Sequence, residues 1–221
     1  MKLLINALTK FTLGSVMVGL LIFLPAGTVR YFAGWLFLGL LFVPMLIAGF
    51  VMLFKAPAFL EKRLDAKEKQ KTQKGVLAFS ALVFIAGFVV SGLDFRFGWS
   101  SMPVPVTVAG CVLFLAAYAL YAEVMRENAY LSRTIRVEQG QKVVDTGLYA
   151  VVRHPMYGAT VVLFLMIPIV LGSWYGLIPF AFYPVIIIVR LLDEEKLLTE
   201  QLPGYDGYKK KVKYRLIPFI W

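Results

Sequence analysis

Long runs of apolar residues, rather than alternating polar and apolar positions, dominate the chain. A helix needs roughly 20 apolar residues to cross a hydrocarbon layer of about 30 Å. Strands of a membrane barrel would alternate polar and apolar residues with a period of two, and these runs do not. The pattern therefore predicts an all-α fold, a polytopic bundle of membrane helices. The predicted segments are 4–24, 31–54, 76–93, 103–122, 156–172 and 174–192.

The last two runs are short, and only Gly172 and Ser173 separate them. They predict a tight helical hairpin, so the number of true crossings is five or six.

Basic residues collect in three connections, 55–74, 123–153 and the tail after Leu192, whereas the intervening connections carry only Arg30 and Arg96. Short loops that face the cytoplasm collect Lys and Arg. With six crossings, this pattern predicts that both termini are cytoplasmic, and we expect a multi-pass protein of the cell (inner) membrane. The first run lacks a convincing cleavage site, which favours a retained span over a signal peptide.

Composition agrees with a membrane protein, because 60% of the residues are hydrophobic and only 16% are charged, against about 25% charged in soluble domains. The net charge of +10 in so apolar a chain suits an anionic membrane face, so we expect membrane lipids as partners and no nucleic acid. The single cysteine, Cys111, excludes a disulfide or a cysteine-based metal site within one copy. We assign no metal.

Polar residues and helix breakers combine in the segment 145–158, directly before the fifth apolar run. Pro155 disfavours helix at the preceding residue and suits the first turn of the next helix, so a helix should begin here. Arg153 and His154 would then lie beside exposed backbone N–H groups, which favour an anionic ligand group. Tyr157 lies in the first turn. A structural role is also open, because Tyr and Arg commonly anchor helices at membrane boundaries.

The sixth apolar run ends in Arg190 and three consecutive acids, Asp193 to Glu195. Acids at a helix C-terminus face an unfavourable dipole, so we expect the helix to continue to Gln201. Arg190 and Glu194 then share a face, while Glu195 points about 100° away. An interfacial salt bridge is the alternative interpretation. Because the hairpin brings its two ends together, ionisable groups of both could line one pocket. The predicted pocket residues are Arg153, His154, Tyr157, Arg190, Glu194 and Glu195.

Three patterns follow one another over residues 120–221. They are Gly147-x-Tyr149-x-x-x-Arg153-His154-Pro155-x-Tyr157, Arg190-x-x-x-Glu194-Glu195-x-x-Leu198 and Gly204-Tyr205-x-x-Tyr208-x-x-x-Val212. In this order and spacing they resemble the isoprenylcysteine carboxyl methyltransferase family and the related phospholipid N-methyltransferases, integral membrane enzymes that use S-adenosylmethionine. The family usually places a glycine two positions after the tyrosine, whereas here Gly158 follows Tyr157 at once and Ala159 takes the usual place.

The resemblance implies S-adenosyl-L-methionine as the cofactor. It also implies that Arg190, placed near the substrate, and Glu194 are catalytic. We expect one integral membrane domain, 1–221, in which 1–122 forms four N-terminal spans and 123–221 forms the catalytic, cofactor-binding part. The cofactor-binding residues that the resemblance implies are Gly147, Tyr149, Arg153, His154, Pro155, Tyr157, Glu194 and Glu195.

The expected function is therefore methyl transfer from S-adenosylmethionine to a lipophilic small substrate that enters from the bilayer. A carboxylate would attack the methyl group directly, whereas a lipid amine would need a base such as Glu194, Glu195 or His154. An NADPH-dependent reductase of the sterol type is an alternative, because the ending 214–218 also resembles that group. The acidic run suits an NADPH 2′-phosphate poorly. A non-catalytic membrane protein is the third hypothesis. The tail after Leu202 is predicted to be either a cap over the cofactor or an interfacial helix.

Overall fold

The computed structural model describes residues 1–65, 71–132 and 134–221. Within these ranges every regular element is helical, which confirms the predicted all-α fold. A short 3₁₀ turn, Gly147–Ala150, precedes the sixth helix. The helices are α1 (Lys2–Ala26), α2 (Phe32–Lys55), α3 (Pro57–Leu64), α4 (Lys71–Phe97), α5 (Val104–Glu127), α6 (Pro155–Val170), α7 (Leu177–Phe180), α8 (Tyr183–Gln201) and α9 (Tyr205–Lys211).

Four helices are long and apolar enough to cross a membrane, namely α1, α2, the part Gln73–Phe97 of α4, and α5. They match the first four predicted segments. Large apolar side chains point outward from these helices, for example Leu13, Phe54 and Leu82, each more than half exposed. Such surfaces need hydrocarbon rather than water around them. The chain is therefore an integral membrane protein.

Of the last two predicted segments, the fifth forms one helix and the sixth does not. Helix α6 agrees with the fifth segment, and its 16 residues give a length of about 24 Å. The sixth segment, 174–192, is not one helix, because the short α7 ends at Phe180 and α8 begins only at Tyr183. Pro184 in the first turn of α8 has no amide hydrogen for the carbonyl of Phe180, which interrupts a continuous helix. The predicted continuation of the last helix to Gln201 is confirmed.

Asp94, buried near the end of α4, joins two connections at what we call the far end of the bundle. Its carboxylate accepts hydrogen bonds from the amide and the hydroxyl of Ser100, at 2.7 and 2.6 Å, and from the hydroxyl of Ser173, at 2.5 Å. Ser100 precedes α5, and Ser173 lies in the turn after α6. This contact fixes the turn between α6 and α7 against the end of α4.

The basic connections meet at the opposite end, which we call the site end. Lys62 of α3 donates to Glu138, in the connection after α5. Gln73 of α4 donates to Asp193 of α8 at 2.7 Å. The three connections that were predicted to share one side of the membrane thus lie close together. Some of their basic residues fall outside the described residues, namely Lys67, Lys69 and Arg133.

Close packing joins α6 to both α5 and α8. A Cβ atom at Gly110 of α5 would lie 2.4 Å from Cγ2 of Ile169, so the absence of a side chain lets α5 and α6 approach closely. The rings of Phe164 in α6 and Tyr183 in α8 are stacked. The main apolar cluster includes Leu191 of α8 and Tyr157 of α6. The start of α6 and the end of α8 are therefore fixed as neighbours.

Asp94→Ala should lower the free energy of unfolding by about 2–4 kcal/mol, because the buried hydroxyl of Ser173 and two half-buried donors of Ser100 lose their acceptor. The measurement is the thermal or denaturant midpoint of the purified protein in detergent. Glu123→Ala is the control, because Glu123 pairs with Arg126 on an exposed face of α5, and its midpoint should stay within error of the unsubstituted protein. Equal midpoints for the two variants would contradict the role of Asp94.

Candidate active site

The start of α6 brings the C-terminal part of the chain into the site. His154 caps the helix and Pro155 is its first residue, which confirms the predicted helix start. The backbone amides of Arg153 and His154 donate to the carbonyls of Tyr214 and Arg215, both at 2.9 Å. The guanidinium of Arg153 also reaches this segment, since Nη1 lies 2.8 Å from the carbonyl of Val212 and 2.9 Å from that of Lys213. These bonds hold the C-terminal segment, residues 212–215, along the start of α6.

The carboxylate of Glu195 connects three parts of the chain. Nε of Arg153 donates to Oε1 at 2.6 Å, and Nε of Arg215 donates to Oε2 at 2.8 Å. Nε2 of His154 lies 3.3 Å from Oε1. The side chains of Glu195, Arg153 and His154 are all less than 10% exposed. Both carboxylate oxygens thus have partners within the protein.

The surroundings of Glu195 act in opposite directions on its pKa. Burial by itself would raise the pKa of this carboxyl group, but hydrogen bonds from His154, Arg153 and Arg215 outweigh burial and hold the pKa well below its ordinary value. Glu195 therefore stays ionised down to strongly acidic pH.

A second contact joins α6 and α8 on the neighbouring face of α8. The hydroxyl of Tyr157 donates to Oε2 of Glu194 and accepts from Nε of Arg190 at 3.2 Å. Arg190 and Glu194 share a face, while Glu195 points to a different set of partners, as the helical spacing predicts. Tyr157 is itself only 4% exposed, so its buried hydroxyl links the carboxylate of Glu194 to the guanidinium of Arg190.

A cavity at the site end is lined by residues of both predicted motifs. The predicted residues that line it are Tyr149, Arg153, His154, Tyr157, Arg190 and Glu194. Gly147, Pro155 and Glu195 are not among the lining residues in the part of the chain that the structure describes. The predicted pocket thus forms, with Glu195 as a support of its wall rather than part of its lining.

The connection between α5 and the 3₁₀ turn forms the opposite wall, and sequence reasoning missed it. A signal was present, because a connection from Asn128 to Thr146 is longer than the roughly 12–15 residues beyond which loops are usually functional. The tail contributes the tyrosines of the third pattern, to which the resemblance attached no role, and so forms part of the site wall. The lining residues concerned include Asn128, Tyr130, Ser132, Thr134, Gln141, Tyr205 and Tyr208.

Gly147 positions Tyr149 without reaching the cavity. Its φ is +56°, and a Cβ atom would lie 1.8 Å from Oε1 of Glu127. The Glu127 carboxylate accepts the amide of Leu148 at 2.9 Å, which caps the 3₁₀ turn. Tyr149 is then held at both of its polar groups, because its hydroxyl accepts from Asn128 at 2.9 Å and its carbonyl accepts the Tyr208 hydroxyl at 2.7 Å.

Gly147→Ala should lower the free energy of unfolding by about 1–3 kcal/mol, because the methyl group forces a strained φ and displaces the Glu127 carboxylate. The thermal midpoint in detergent measures the loss. Gly207→Ala is the matched control, since Gly207 lies in α9 with open space around it, and alanine there should keep or raise the midpoint. A neutral Gly147→Ala would contradict the described turn.

The pH dependence of stability should reveal the ionisation of Glu195. A carboxyl whose pKa is lower in the folded state adds stability above its unfolded pKa, here about 4.5, and this stability is lost as pH falls below that value. Glu195→Gln should lower the free energy of unfolding at pH 7 by about 3 kcal/mol or more, because Arg153 loses a buried counter-charge. Its thermal midpoint should then fall less steeply than that of the unsubstituted protein between about pH 5 and pH 3. If the midpoints of the two proteins fell in parallel over this pH range, this role of Glu195 would be refuted.

Comparison with known proteins identifies the part of the chain that carries this site. Residues 106–203 match the family model described as phospholipid methyltransferase. No curated protein matches the chain. The matched residues run from α5 through the wall connection to the end of α8, so they include both motifs that meet at the cavity. The match confirms the resemblance stated from the sequence, because residues 106–203 are similar to the phospholipid methyltransferase family.

Proposed function

We propose that this protein transfers a methyl group from S-adenosylmethionine to a lipophilic small substrate at the membrane. The family match supports the coarser statement, a membrane methyltransferase. The observation that carries the proposal is the cavity at which Tyr157, Arg190 and Glu194 meet, because α6 and α8 bring them together inside the matched segment. The cofactor and the substrate class are the parts that we add.

The donors and acceptors of the cavity fit this cofactor. S-adenosylmethionine combines positive charge, a carboxylate, ribose hydroxyls and a flat base. Glu194 is an acceptor for its ammonium group or its hydroxyls, while Arg153 and His154 lie in the wall for its anionic end. The tyrosine rings of the wall, Tyr149 and Tyr208, offer flat apolar surface for the base.

The cofactor, when bound, supplies a methyl group on a positively charged sulfur. The chain then has to position a nucleophile and exclude water, and no nucleophilic side chain is needed. Arg190 lines the cavity beside Tyr157 and suits a substrate carboxylate, since an arginine matches that group with two parallel hydrogen bonds. The hydrogen bond that Nε of Arg190 donates to the Tyr157 hydroxyl fixes the orientation of the guanidinium.

Apolar residues also line the cavity beside these charges. Leu131, Ile135 and Met156 belong to its lining. Opposite charges partly cancel as a carboxylate receives a methyl group from a cation, so a dry site lowers the barrier relative to water. A lipid amine would instead lose a proton, and Glu194 and His154 are candidate bases that line the cavity.

Titration calorimetry of the purified protein with S-adenosylmethionine and, separately, with NADPH tests the proposed cofactor. We expect S-adenosylmethionine to bind and NADPH not to bind. Binding of NADPH alone would support the reductase, and binding of neither would leave a non-catalytic membrane protein.

Arg190→Ala tests the proposed substrate class. We expect it to keep the affinity for S-adenosylmethionine and to lower kcat/KM for an S-prenylated cysteine roughly 30-fold or more, because a buried charged contact to the substrate is lost. Lys210→Ala, an exposed cation of α9, is the control and should leave kcat/KM unchanged. If phosphatidylethanolamine is methylated instead and Glu194→Gln abolishes that activity, the substrate is an amine and the carboxylate proposal is wrong.

A further inference from the structure

Tyr205 carries a buried polar group that the described protein does not satisfy. The residue is 3% exposed, and its hydroxyl has no hydrogen-bond partner among the described residues. Tyr208, one helical turn later, is equally buried, but its hydroxyl donates to the carbonyl of Tyr149 at 2.7 Å. A buried hydroxyl without a partner is unfavourable, and buried polar groups in native proteins are usually hydrogen-bonded. The hydroxyl of Tyr205 therefore needs a partner that the chain itself does not provide.

Backbone and ring contacts fix the position of Tyr205. Gly204 precedes it with a φ of +86°, and the amide of Tyr205 donates to the carbonyl of Leu202 at 3.2 Å. Its ring packs against that of Tyr208, with 5.6 Å between ring centres. Both rings belong to one buried cluster at the site end.

The unpartnered hydroxyl belongs to the candidate active site. Tyr205 lines the same cavity as Glu194 and Arg153. Burial raises the pKa of Tyr205, and the negative charges of Glu195 and Glu194 raise it further. The hydroxyl is therefore a neutral O–H group at physiological pH and can donate a hydrogen bond to an acceptor in the cavity.

The surroundings of Tyr205 indicate which part of a ligand lies there. Leu198 and Leu202 of the buried cluster line the cavity beside Tyr205, and Val143 of the opposite wall packs on the same cluster. The apolar and aromatic surfaces beside this hydroxyl suit a flat heteroaromatic ring with an acceptor nitrogen at its edge. Arg190 and Glu194, by contrast, suit charged groups.

We propose that the hydroxyl of Tyr205 donates a hydrogen bond to a ring nitrogen of the adenine base of the cofactor and so positions the nucleoside in the cavity. This inference rests on the proposed function, because it assigns one more residue to the same cofactor.

Tyr205→Phe tests the proposal through two independent readouts. The affinity for S-adenosylhomocysteine, measured by calorimetry, should fall about threefold to tenfold, as expected for one lost neutral hydrogen bond. The thermal midpoint without ligand should stay the same or rise, because the removed hydroxyl had no partner. Tyr208→Phe should lower that midpoint, since its hydroxyl has a buried acceptor, and Tyr175→Phe at the far end should change neither readout.

Deaza analogues of S-adenosylhomocysteine identify the acceptor. If Tyr205 binds a ring nitrogen, replacing that nitrogen by carbon should weaken binding to the unsubstituted protein and have little further effect on Tyr205→Phe. A lower ligand-free midpoint for Tyr205→Phe, unchanged affinity, or full additivity with every deaza analogue would overturn the inference while leaving the proposed function intact. Failure of the unsubstituted protein to bind S-adenosylmethionine and S-adenosylhomocysteine would overturn both.

Discussion

The buried carboxylate of Glu195 holds the candidate site together. It binds Arg153 at the start of α6 and Arg215 in the C-terminal segment, and it contacts His154. Buried cations are strongly destabilising without a counter-charge. Without this carboxylate, the start of α6 would keep its backbone bonds to the C-terminal segment, residues 212–215, but Arg153 and Arg215 would lose the counter-charge on α8 that they share.

Glu194 and Glu195 have different surroundings because consecutive residues of a helix point in different directions. Glu195 has both oxygens engaged inside the protein, whereas Glu194 lines the cavity and receives the hydroxyl of Tyr157. The resemblance implied direct cofactor contacts for both, and these roles stay predictions. The geometry supports direct contact for Glu194 and a positioning role for Glu195, since an ionised group with three internal partners is already satisfied.

The features that the sequence predicts well are those that local rules decide. The first four spans follow from length and apolarity, Pro155 marks a helix start, and the spacing of Arg190 and Glu194 puts them on one face. The break before α8 was missed because continuous apolarity hides a turn that Pro184 enforces. The wall 128–146 has no periodicity of its own, and its position depends on contacts with distant residues such as the bond from Lys62 to Glu138. The unpartnered hydroxyl of Tyr205 is a tertiary property, which no pattern reveals.

The arrangement of α6 and α8 fits the chemistry of an amphiphilic substrate. Asp94 fixes the far end of this pair through Ser173, and Glu195 fixes the site end, so the cavity lies where apolar helices give way to charged residues. Helix α6 is only about 24 Å long. The charged end of α8 therefore lies close to the apolar faces of the spans. A molecule with a polar head and an apolar tail can place its head beside Arg190 while its tail stays among apolar side chains. This arrangement supports the proposal of a lipophilic substrate.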